Sequence, residues 1–293
     1  MTGQIRARIL RAISASRTPG FHFAGHFFGV AFERIEAGAA RLSLEPGAHV
    51  DDADGSVNVA AVAMLADIAL ASSIRAALGT DATRLATVSM NLQFTGEALR
   101  GRLEAEGRSQ GFTEHAAAKQ GLARFSISSA GLVGCFGTGA FMPLEPPPGT
   151  KMHPVVRESP GEPPALDESS LEAHERAILA RADEALERAT AAHPFIGHFL
   201  GHKARRSDKG ASATMATGIH VGNRVGHVQG GILVGLGAST AAAALPATWK
   251  LSAISAWFVS PGEGGRLSAE STVWHHGRDT AVVRTEVAGV GGR

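Results

Sequence analysis

The sequence predicts an α+β protein made of two copies of one unit, in which an antiparallel sheet wraps around one long apolar helix. Three observations carry this prediction. Short motifs recur in the same order in the two halves of the 293-residue chain. Each half has one long apolar stretch of helical length, and each has several segments in which apolar residues alternate as they do in strands.

The duplication can be followed along the chain. Residues 226–236 (GHVQGGILVGL) have a degenerate copy at 56–67 (SVNVAAVAMLAD). Three further motifs recur in order: GHFFG at 25–29 as GHFLG at 197–201, GAHV at 47–50 as GIHV at 218–221, and GRLEAE at 101–106 as GRLSAE at 265–270. The offset is 171 or 172 residues and falls to 164 after the apolar helix. A period this long is too large for a solenoid repeat and indicates two whole domains or half-domains.

The domain boundaries follow from composition. We expect residues 1–144 to form the first repeat, 145–170 a Pro-rich linker, and 171–293 the second repeat. A short amphipathic helix near residues 4–15 and a charged helix at about 171–192 open the two repeats. Residues 132–142 read as the last strand of the first repeat. The second repeat has no counterpart to it, so we expect its sheet to lack the last strand and to expose an edge.

The apolar helix of each repeat has clear limits. It should begin near Asn58 or Gln229, and it should end near Gly79 or before Pro246. Because its apolar residues lie nearly all round, the sheet should wrap it. Residues 228–248 carry no charge and are long enough to suggest a membrane span. They are mostly small residues, however, and the upstream copy contains charges, so we predict a buried helix and no membrane contact. Strands are expected at 86–94 and 251–259.

Composition bounds the function. The chain has 28 basic and 27 acidic residues, interspersed, and a net charge of +1, which does not favour a nucleic-acid partner. The only cysteine, Cys135, cannot form an internal disulfide, and no export signal is visible, so a cytoplasmic location is expected. His198 and His202 stand four residues apart but have no carboxylate to complete a metal site. Dinucleotide, phosphate-loop and serine-elbow motifs are absent, and we predict no cofactor and no metal.

A helix entered through a Gly-Gly step, a carboxylate nine positions beyond the residue before that step, and the strand TVSMN at 87–91 resemble the hotdog-fold acyl-CoA thioesterases of the phenylacetate-degradation type. The resemblance covers both halves and implies a tandem double hotdog. In that family the pattern is Asn, five residues, His-Gly-Gly, and Asp nine positions after the His. The second half matches with Asn223, Gln229, Gly230 and Gly231, but Gln replaces the His and Ala238 stands where Asp belongs. The first half has the converse set: Asp67 is present, while Asp52, Asn58 and Val59-Ala60 replace the rest.

Helix geometry predicts how the two incomplete halves combine. Nine residues place Asp67 about 13 Å along its helix from that helix's own N-terminus, so it cannot serve that end. A pseudo-twofold axis would bring it to the N-terminus of the other repeat's helix. We therefore predict one composite site, with Asp67 facing Gln229, Gly230 and Gly231. The reciprocal pairing of Ala238 with Asn58-Val59-Ala60 lacks a carboxylate and should be silent.

This set of residues suits a thioester. Free N–H groups of Gly230 and Gly231 at a helix N-terminus could stabilise the oxyanion formed on attack at the carbonyl. Burial should raise the pKa of Asp67, which would act as a general base on water or attack directly to give an anhydride. The resemblance implies that Thr87 helps to hold the water, and that Asn223 and Gln229 orient the substrate carbonyl or the entrance loop. Each residue also has a structural interpretation: an ion-paired Asp67, close-packing glycines, an ordinary strand threonine, and turn or cap residues.

Three functions follow as hypotheses. The first is hydrolysis of acyl-CoA to free acid and CoA. The second is hydration or dehydration of an acyl thioester, which would need a histidine such as His227 paired with a carboxylate. The third is acyl-CoA binding without catalysis. A small-molecule acyl-CoA is the expected partner in all three, and a homo-oligomer of the double-hotdog unit is compatible with each.

Overall fold

A computed structural model describes residues 2–79, 83–115, 118–145 and 161–289, and it contains the same order of elements twice. The helices of the first repeat are α1 (Thr2–Ser16), α2 (Phe23–Phe28) and α3 (Val59–Leu78). Its strands are β1 (Val30–Glu36), β2 (Ala39–Leu44), β3 (Arg84–Phe94), β4 (Leu103–His115), β5 (Ala118–Ser129) and β6 (Leu132–Leu144).

The second repeat follows the same plan with shorter elements. Its helices are α4 (Ala173–Arg188), α5 (Phe195–Leu200) and α6 (Gly230–Ala243). Its strands are β7 (Arg205–Ser207), β8 (Gly210–Ala216), β9 (Ala253–Trp257), β10 (Arg266–His276) and β11 (Ala281–Gly289). Most of the predicted linker, residues 146–160, lies outside the described residues, and the limits predicted for the two domains remain an expectation.

The strand order gives the architecture. One sheet runs β1-β2-β4-β5-β6-β3-β9, and a second runs β11-β10-β8-β7, with all pairs antiparallel. The seven-stranded sheet crosses from one repeat to the other, because β3 pairs with β9 around the couple Asn91 and Ser255. The chain is thus an α+β double hotdog, as predicted, in which each sheet encloses the long helix of its repeat.

The register confirms the duplication at single-residue precision. In the first repeat, β4 has a bulge between Ser109 and Gly111. In the second, β10 has one between Val273 and His275. These positions differ by 164 residues, which is also the spacing between Leu103 and Leu267 at the starts of the two strands. Because the bulge occurs at the same place in both copies, it is a feature of the repeated unit. A bulge bends its strand and changes the direction of the side chains.

Helix α3 forms where the sequence predicts it. The Asn58 side chain accepts a hydrogen bond from the N–H of Ala60, and Gly79 ends the helix in the left-handed conformation at φ 66°. The helix is long and apolar enough to span a membrane, but 72% of its most apolar window is buried by the rest of the protein. Met64, Leu65 and Leu70 have no exposed surface. Each such side chain contributes about 1.5–3 kcal/mol by leaving water, so α3 is the core of its sheet.

Helices α3 and α6 cross in direct backbone contact. A Cβ at Gly231 would lie 2.2 Å from the Met64 nitrogen, and one at Gly235 would lie 2.3 Å from the Ala60 Cβ. The two contacts are related by the internal duplication, because Gly231 and Gly235 match Ala60 and Met64 at an offset of 171. This close crossing brings the N-terminus of α6 to the middle of α3, where Asp67 lies.

A cluster of rings joins the repeats on the far side. The Phe27 and Phe199 rings, from α2 and α5, have their centroids 4.8 Å apart. The Arg17 guanidinium, just past α1, pairs with the buried Glu175 carboxylate on α4 at 2.6 Å. Aromatic side chains bury large apolar areas, so this cluster helps to hold the two repeats together.

Across the described part of the second repeat, no strand takes the place that β6 has in the first. Strand β6 lies between β5 and β3 and pairs with both. Their counterparts, β11 and β9, are instead the end strands of two different sheets.

Candidate active site

A cavity of about 500 Å³ lies between the two repeats, where the N-terminus of α6 meets the middle of α3. Both copies of the unit contribute to its walls. Four of the residues singled out in the sequence line it together with Asn223: Asp67, Thr87, Gln229 and Gly230. Gly231, the remaining one, is buried behind the wall.

Among the described residues that line the cavity, the Asp67 carboxylate is the only acidic group. Its residue is 7% exposed, with Oδ1 accepting a hydrogen bond from the Thr87 hydroxyl at 3.0 Å and Oδ2 accepting one from the Gln229 Nε2 at 2.7 Å. Burial raises the pKa of Asp67 to about 6, and the two hydrogen bonds oppose that rise by stabilising the ionised form. Asp67 is therefore a carboxylate that can gain and lose a proton near neutral pH.

Gln229 connects this carboxylate to the helix of the other repeat. Its Oε1 accepts hydrogen bonds from the N–H groups of Gly231 at 2.6 Å and Ile232 at 3.3 Å, so it caps α6. Because the oxygen of the amide is held by the helix, the amide nitrogen must point at Asp67. One side chain thus sets both the start of α6 and the orientation of the carboxylate.

Gly230 is the first residue of α6 and faces the carboxylate. Among the described residues, no acceptor pairs with its N–H, which lies at the positive end of the helix dipole. A Cβ at this position would lie 3.1 Å from the Asp67 Oδ2 and 3.5 Å from the Thr87 hydroxyl. Glycine therefore leaves the space in which a ligand atom can approach both the N–H and the carboxylate.

The predicted part of Gly231 as a second oxyanion donor is wrong. Its N–H is already bonded to the Gln229 Oε1, and its Cα lies against the backbone of Met64. The physical reason is that a glutamine cap reaches back to its own helix and satisfies the second free N–H. Gly231 instead lets α6 approach α3 closely.

Asn223 shapes the loop that leads into α6. Its Oδ1 accepts hydrogen bonds from the N–H groups of Val225 at 2.9 Å and His227 at 3.2 Å, which closes a tight turn over residues 223–227. The residue also lies in the cavity wall. Asn223 was expected to orient either the substrate carbonyl or the entrance loop, and these hydrogen bonds are those of a residue that holds the loop.

His227 lines the cavity but does not contact Asp67. Its Nδ1 accepts a hydrogen bond from the Arg84 guanidinium at 3.2 Å, and its Nε2 lies 2.9 Å from the Glu263 carboxylate. Both ring nitrogens are thus engaged, and desolvation and Arg84 together lower the pKa of the imidazole against the opposing effect of Glu263. This geometry gives no support to His227 as the acid and base of a hydratase.

Several wall residues carry signals too weak to be found in the sequence. Arg75, Arg84 and Arg224 line the same cavity, and each alone reads as an ordinary surface arginine. His22 lies in the wall with its Nδ1 accepting the Gly25 N–H at 2.9 Å, and burial lowers its pKa to about 4. The apolar part of the wall includes Phe32, Ile68, Leu85, Phe141, Met142 and Leu144. In its described lining, the cavity therefore combines an apolar wall with three arginines.

The reciprocal position is built differently. Asn58 caps α3 as Gln229 caps α6, but its Nδ2 donates to the Asp52 Oδ1 at 2.8 Å, and Asp52 precedes the helix instead of lying on the other one. Ala238, the counterpart of Asp67, offers no carboxylate. Val59 and Ala60 replace the two glycines, so the pair lacks the free space found at Gly230.

Fold and site together define a double-hotdog protein with a buried carboxylate at a helix N-terminus between its repeats. No family model matches the chain, and no curated protein matches its sequence. Among solved structures it is similar to a variant of the phenylacetic acid degradation protein PaaI from Thermus thermophilus, at 20% identity over 41% of this chain and 97% of that one, with a TM-score of 0.35.

Two further solved structures show the same extent of likeness. The phenylacetic acid degradation-related protein from Ralstonia eutropha JMP134 is 17% identical over 45% of this chain and 98% of its own, with a TM-score of 0.37. The BH2602 protein from Bacillus halodurans, solved with CoA, is 16% identical over 50% of this chain and 94% of its own, with a TM-score of 0.42. The first two are named for the same phenylacetate degradation as the family that the sequence resembles. The assignment of the fold rests on the strand order and helix positions described above.

Proposed function

We propose that this protein hydrolyses acyl-CoA thioesters to a free acid and CoA at one composite site between its repeats. The observation that carries the proposal is the Asp67 carboxylate of the first repeat, 7% exposed and bonded to Thr87 and Gln229, beside the open N–H of Gly230 from the second. A base and an oxyanion donor thus lie next to each other in the wall of one cavity, where a reacting carbonyl could reach both.

The hydrogen bonds favour Asp67 as a general base over direct attack. The Thr87 hydroxyl donates its only hydrogen bond to the Asp67 Oδ1. Towards a water molecule it can therefore act only as an acceptor. A water between the two would give one proton to Thr87 and the other to Asp67, and its lone pair would be left to attack. In direct attack by Asp67 no water needs to be oriented, and the Thr87 hydroxyl would have no role in the step.

The reaction then balances in two steps. The water oxygen forms a bond to the thioester carbonyl carbon while its proton passes to Asp67, and the carbonyl oxygen becomes an anion facing the Gly230 N–H and the end of the α6 dipole. In the second step the carbon–sulfur bond breaks, and the proton on Asp67 passes to the departing thiolate. The products are a carboxylic acid and CoA thiol.

The walls of the cavity support an acyl-CoA as the substrate. Among the described cavity-lining residues, the arginines Arg75, Arg84 and Arg224 give the wall positive charge, which suits the phosphates of CoA. Aromatic and aliphatic side chains provide room for an acyl group.

The test is release of thiol from acyl-CoA by the wild-type chain and by Asp67→Asn. Asparagine keeps the volume and can bond to Thr87 and Gln229, but it cannot take a proton, so kcat should fall by about 100- to 10,000-fold with acyl-CoA binding kept. The matched control is Asp52→Asn, since Asp52 is the partly buried carboxylate bonded to the other helix cap. Unchanged turnover in Asp67→Asn would refute the proposal, and binding without thiol release across a panel of aromatic and aliphatic acyl-CoAs would favour a binding module.

A further inference from the structure

A second cavity, of about 720 Å³, lies in the second repeat between the helices α4 and α5 and the turn at residues 217–220. Among the described residues, its lining shares no member with the cavity at Asp67. Its volume falls in the range of about 300–1,000 Å³ that is usual for small-molecule sites. The second cavity is therefore a separate place of the right size for a small ligand.

The wall of the second cavity carries two imidazole nitrogens that have no partner. His220 is 5% exposed, and within the described part of the chain nothing bonds to its Nε2. The Nε2 of His198, on α5, is also buried and unpaired there. A buried polar atom without a partner costs about 1–3 kcal/mol, and a neutral imidazole can carry its proton on Nε2. A ligand that accepts a hydrogen bond from these rings would remove that cost.

Positive charge is in excess around the two imidazoles. Arg181, Arg188 and Lys203 are the basic residues other than histidine in the described lining, and Glu184 is its one acidic residue. The Glu184 carboxylate pairs with the Arg188 guanidinium at 3.5 Å. Arg181 and Lys203 therefore leave a surplus of positive charge in the wall, which favours an anionic ligand.

The cations lie close enough to the imidazoles to act on their protonation. Burial, and then the charge of Arg181, lower the pKa of His220 to about 3. Burial is also the main cause of the lowered pKa of His198, and the charges of Lys203 and Arg188 add to it. Both rings are consequently neutral at pH 7, next to charged groups that would stabilise an anion.

The first repeat shows which kind of anion this place accepts. Arg8 on α1 matches Arg181 on α4, because each guanidinium donates to a backbone carbonyl of the following short helix, at 3.4 Å and 3.1 Å respectively. The charge of the Glu162 carboxylate opposes the desolvation that lowers the pKa of Arg8. The same carboxylate pairs with Arg11 at 3.4 Å. The corresponding place in the first repeat thus holds a carboxylate.

We propose that the second cavity binds a small organic carboxylate, with its charged head at Arg181 and the His220 Nε2 and its hydrocarbon body on the aliphatic part of the wall. That part consists of Ala177, Ile178, Ala180, Ala185 and Ile219. Ile219 is 43% exposed, so a hydrocarbon body would remove apolar surface from water. A neutral molecule would leave the positive charge unmatched, and a bare inorganic anion would leave the apolar wall uncovered.

The experiment titrates the full chain with hexanoate and follows the ring nitrogens of His198 and His220 by proton–nitrogen NMR. Loss of a signal in His198→Gln or His220→Gln assigns it. Hexanoate should shift both signals in a saturable way. Hexanol has the body without the charge, and inorganic phosphate has charge without the body, so each should bind about 10-fold more weakly or worse.

Charge variants place the binding in the second cavity. Arg188→Gln with Lys203→Gln should weaken hexanoate binding by about 10- to 100-fold, which is the usual effect of losing hydrogen bonds to charged groups. The matched control is Arg206→Gln with Lys209→Gln, which removes the same charge at exposed positions outside the lining and should leave the affinity unchanged. Glu184→Gln removes the carboxylate of the wall and should tighten binding. Circular dichroism and the Tm report whether each variant keeps its fold.

The ring signals separate this site from the cavity at Asp67. Asp67→Asn should bind hexanoate at the second cavity as the wild type does, so the outcome is independent of thiol release. The proposal is overturned if hexanoate leaves both ring signals in place, or if the cavity variant and its control weaken binding equally. It is also overturned if hexanol or phosphate binds as tightly as hexanoate, since the ligand would then not be an organic carboxylate.

Discussion

Two opposing effects act on the charge of Asp67: burial disfavours the ionised form, and the hydrogen bonds from Thr87 and Gln229 favour it. In the folded protein its pKa is about 6, above the 3.8 expected in an unfolded chain, because burial penalises the charge. The folded state therefore binds the proton more tightly than the unfolded state. This contribution favours folding below about pH 4, and it is lost as the pH rises through about 6.

A first prediction at this scale concerns stability. Asp67→Asn removes the charge and should stabilise the protein at pH 7 to 8 by about 2–3 kcal/mol, since one pKa unit corresponds to about 1.4 kcal/mol. The gain should vanish near pH 4, where the wild-type carboxyl is protonated. Urea unfolding at the two pH values measures it, and an equal change in the free energy of unfolding at both would show that the charge is not the cause.

A second prediction concerns the pH dependence of the reaction. If Asp67 accepts the proton from water, kcat/KM should rise with pH through about 6 and level off above, because only the ionised form is a base. Thr87→Val removes a hydrogen bond that stabilises the ionised form, so the midpoint should move to higher pH. Rates of thiol release between about pH 4.5 and 8.5 give both midpoints. An unchanged midpoint in Thr87→Val would show that Thr87 does not affect the pKa of the titrating group.

At the scale of the helices, the crossing of α3 and α6 places the carboxylate. A Cβ at Gly231 would lie 2.2 Å from the Met64 nitrogen, and a backbone cannot yield as a side chain can. The two helices would have to separate, which would also stretch the Gln229 to Asp67 bond. This contact makes the site sensitive to a residue that does not line the cavity.

Gly231→Ala should therefore destabilise the chain by about 3 kcal/mol or more, which is the upper part of the range for overpacked cores. Gly237→Ala on the same helix is the matched control, because the nearest atoms to its Cβ are 3.9 Å away and alanine is the better helix former by up to about 1 kcal/mol. Urea unfolding should show a loss in the first variant and no loss in the second. Equal changes in the free energy of unfolding would show that the helix crossing accommodates an added methyl group at Gly231, against the prediction.

The helices show how far sequence reasoning reaches. The limits of α3 were predictable, because Asn58 and Gly79 act through local backbone geometry. The meeting of Asp67 with the N-terminus of α6 was predictable from the duplication, since a twofold relation follows from two copies. The hydrogen bond from the Gly231 N–H to the Gln229 side chain was not predictable, because it depends on the rotamer of Gln229. The contacts of His227 with Arg84 and Glu263 were missed for another reason: their partners lie far away in sequence.

At the scale of the whole molecule, the carboxylate and the open helix N-terminus of the proposed site come from different repeats. Beside the reciprocal helix end, Asn58 is committed to Asp52, and Ala238 stands where a carboxylate would be needed. The described walls of the cavity at Asp67 draw on both repeats, so the proposed site needs both of them.

One ligand should consequently bind per chain. Isothermal titration of Asp67→Asn with an acyl-CoA, or of the wild type with a thioether analogue that cannot be hydrolysed, should give a stoichiometry near one. Adding a carboxylate by Ala238→Asp should leave that number unchanged, because Val59, at the position that matches Gly230, carries a side chain where glycine leaves space. A stoichiometry of two in the wild type would contradict the assignment of a silent second position.

The pairing of β3 with β9 ties the two repeats into one sheet and has a consequence for how this protein can change over generations. In a symmetric dimer every mutation appears twice, so a change that helps one face of the interface is also imposed on the other. Here each half has its own codons, and a loss in one copy can be tolerated while the other keeps the matching part. Asp67 and Gln229 are encoded by separate codons of one gene. Selection can therefore change either one without changing the matching residue of the other repeat.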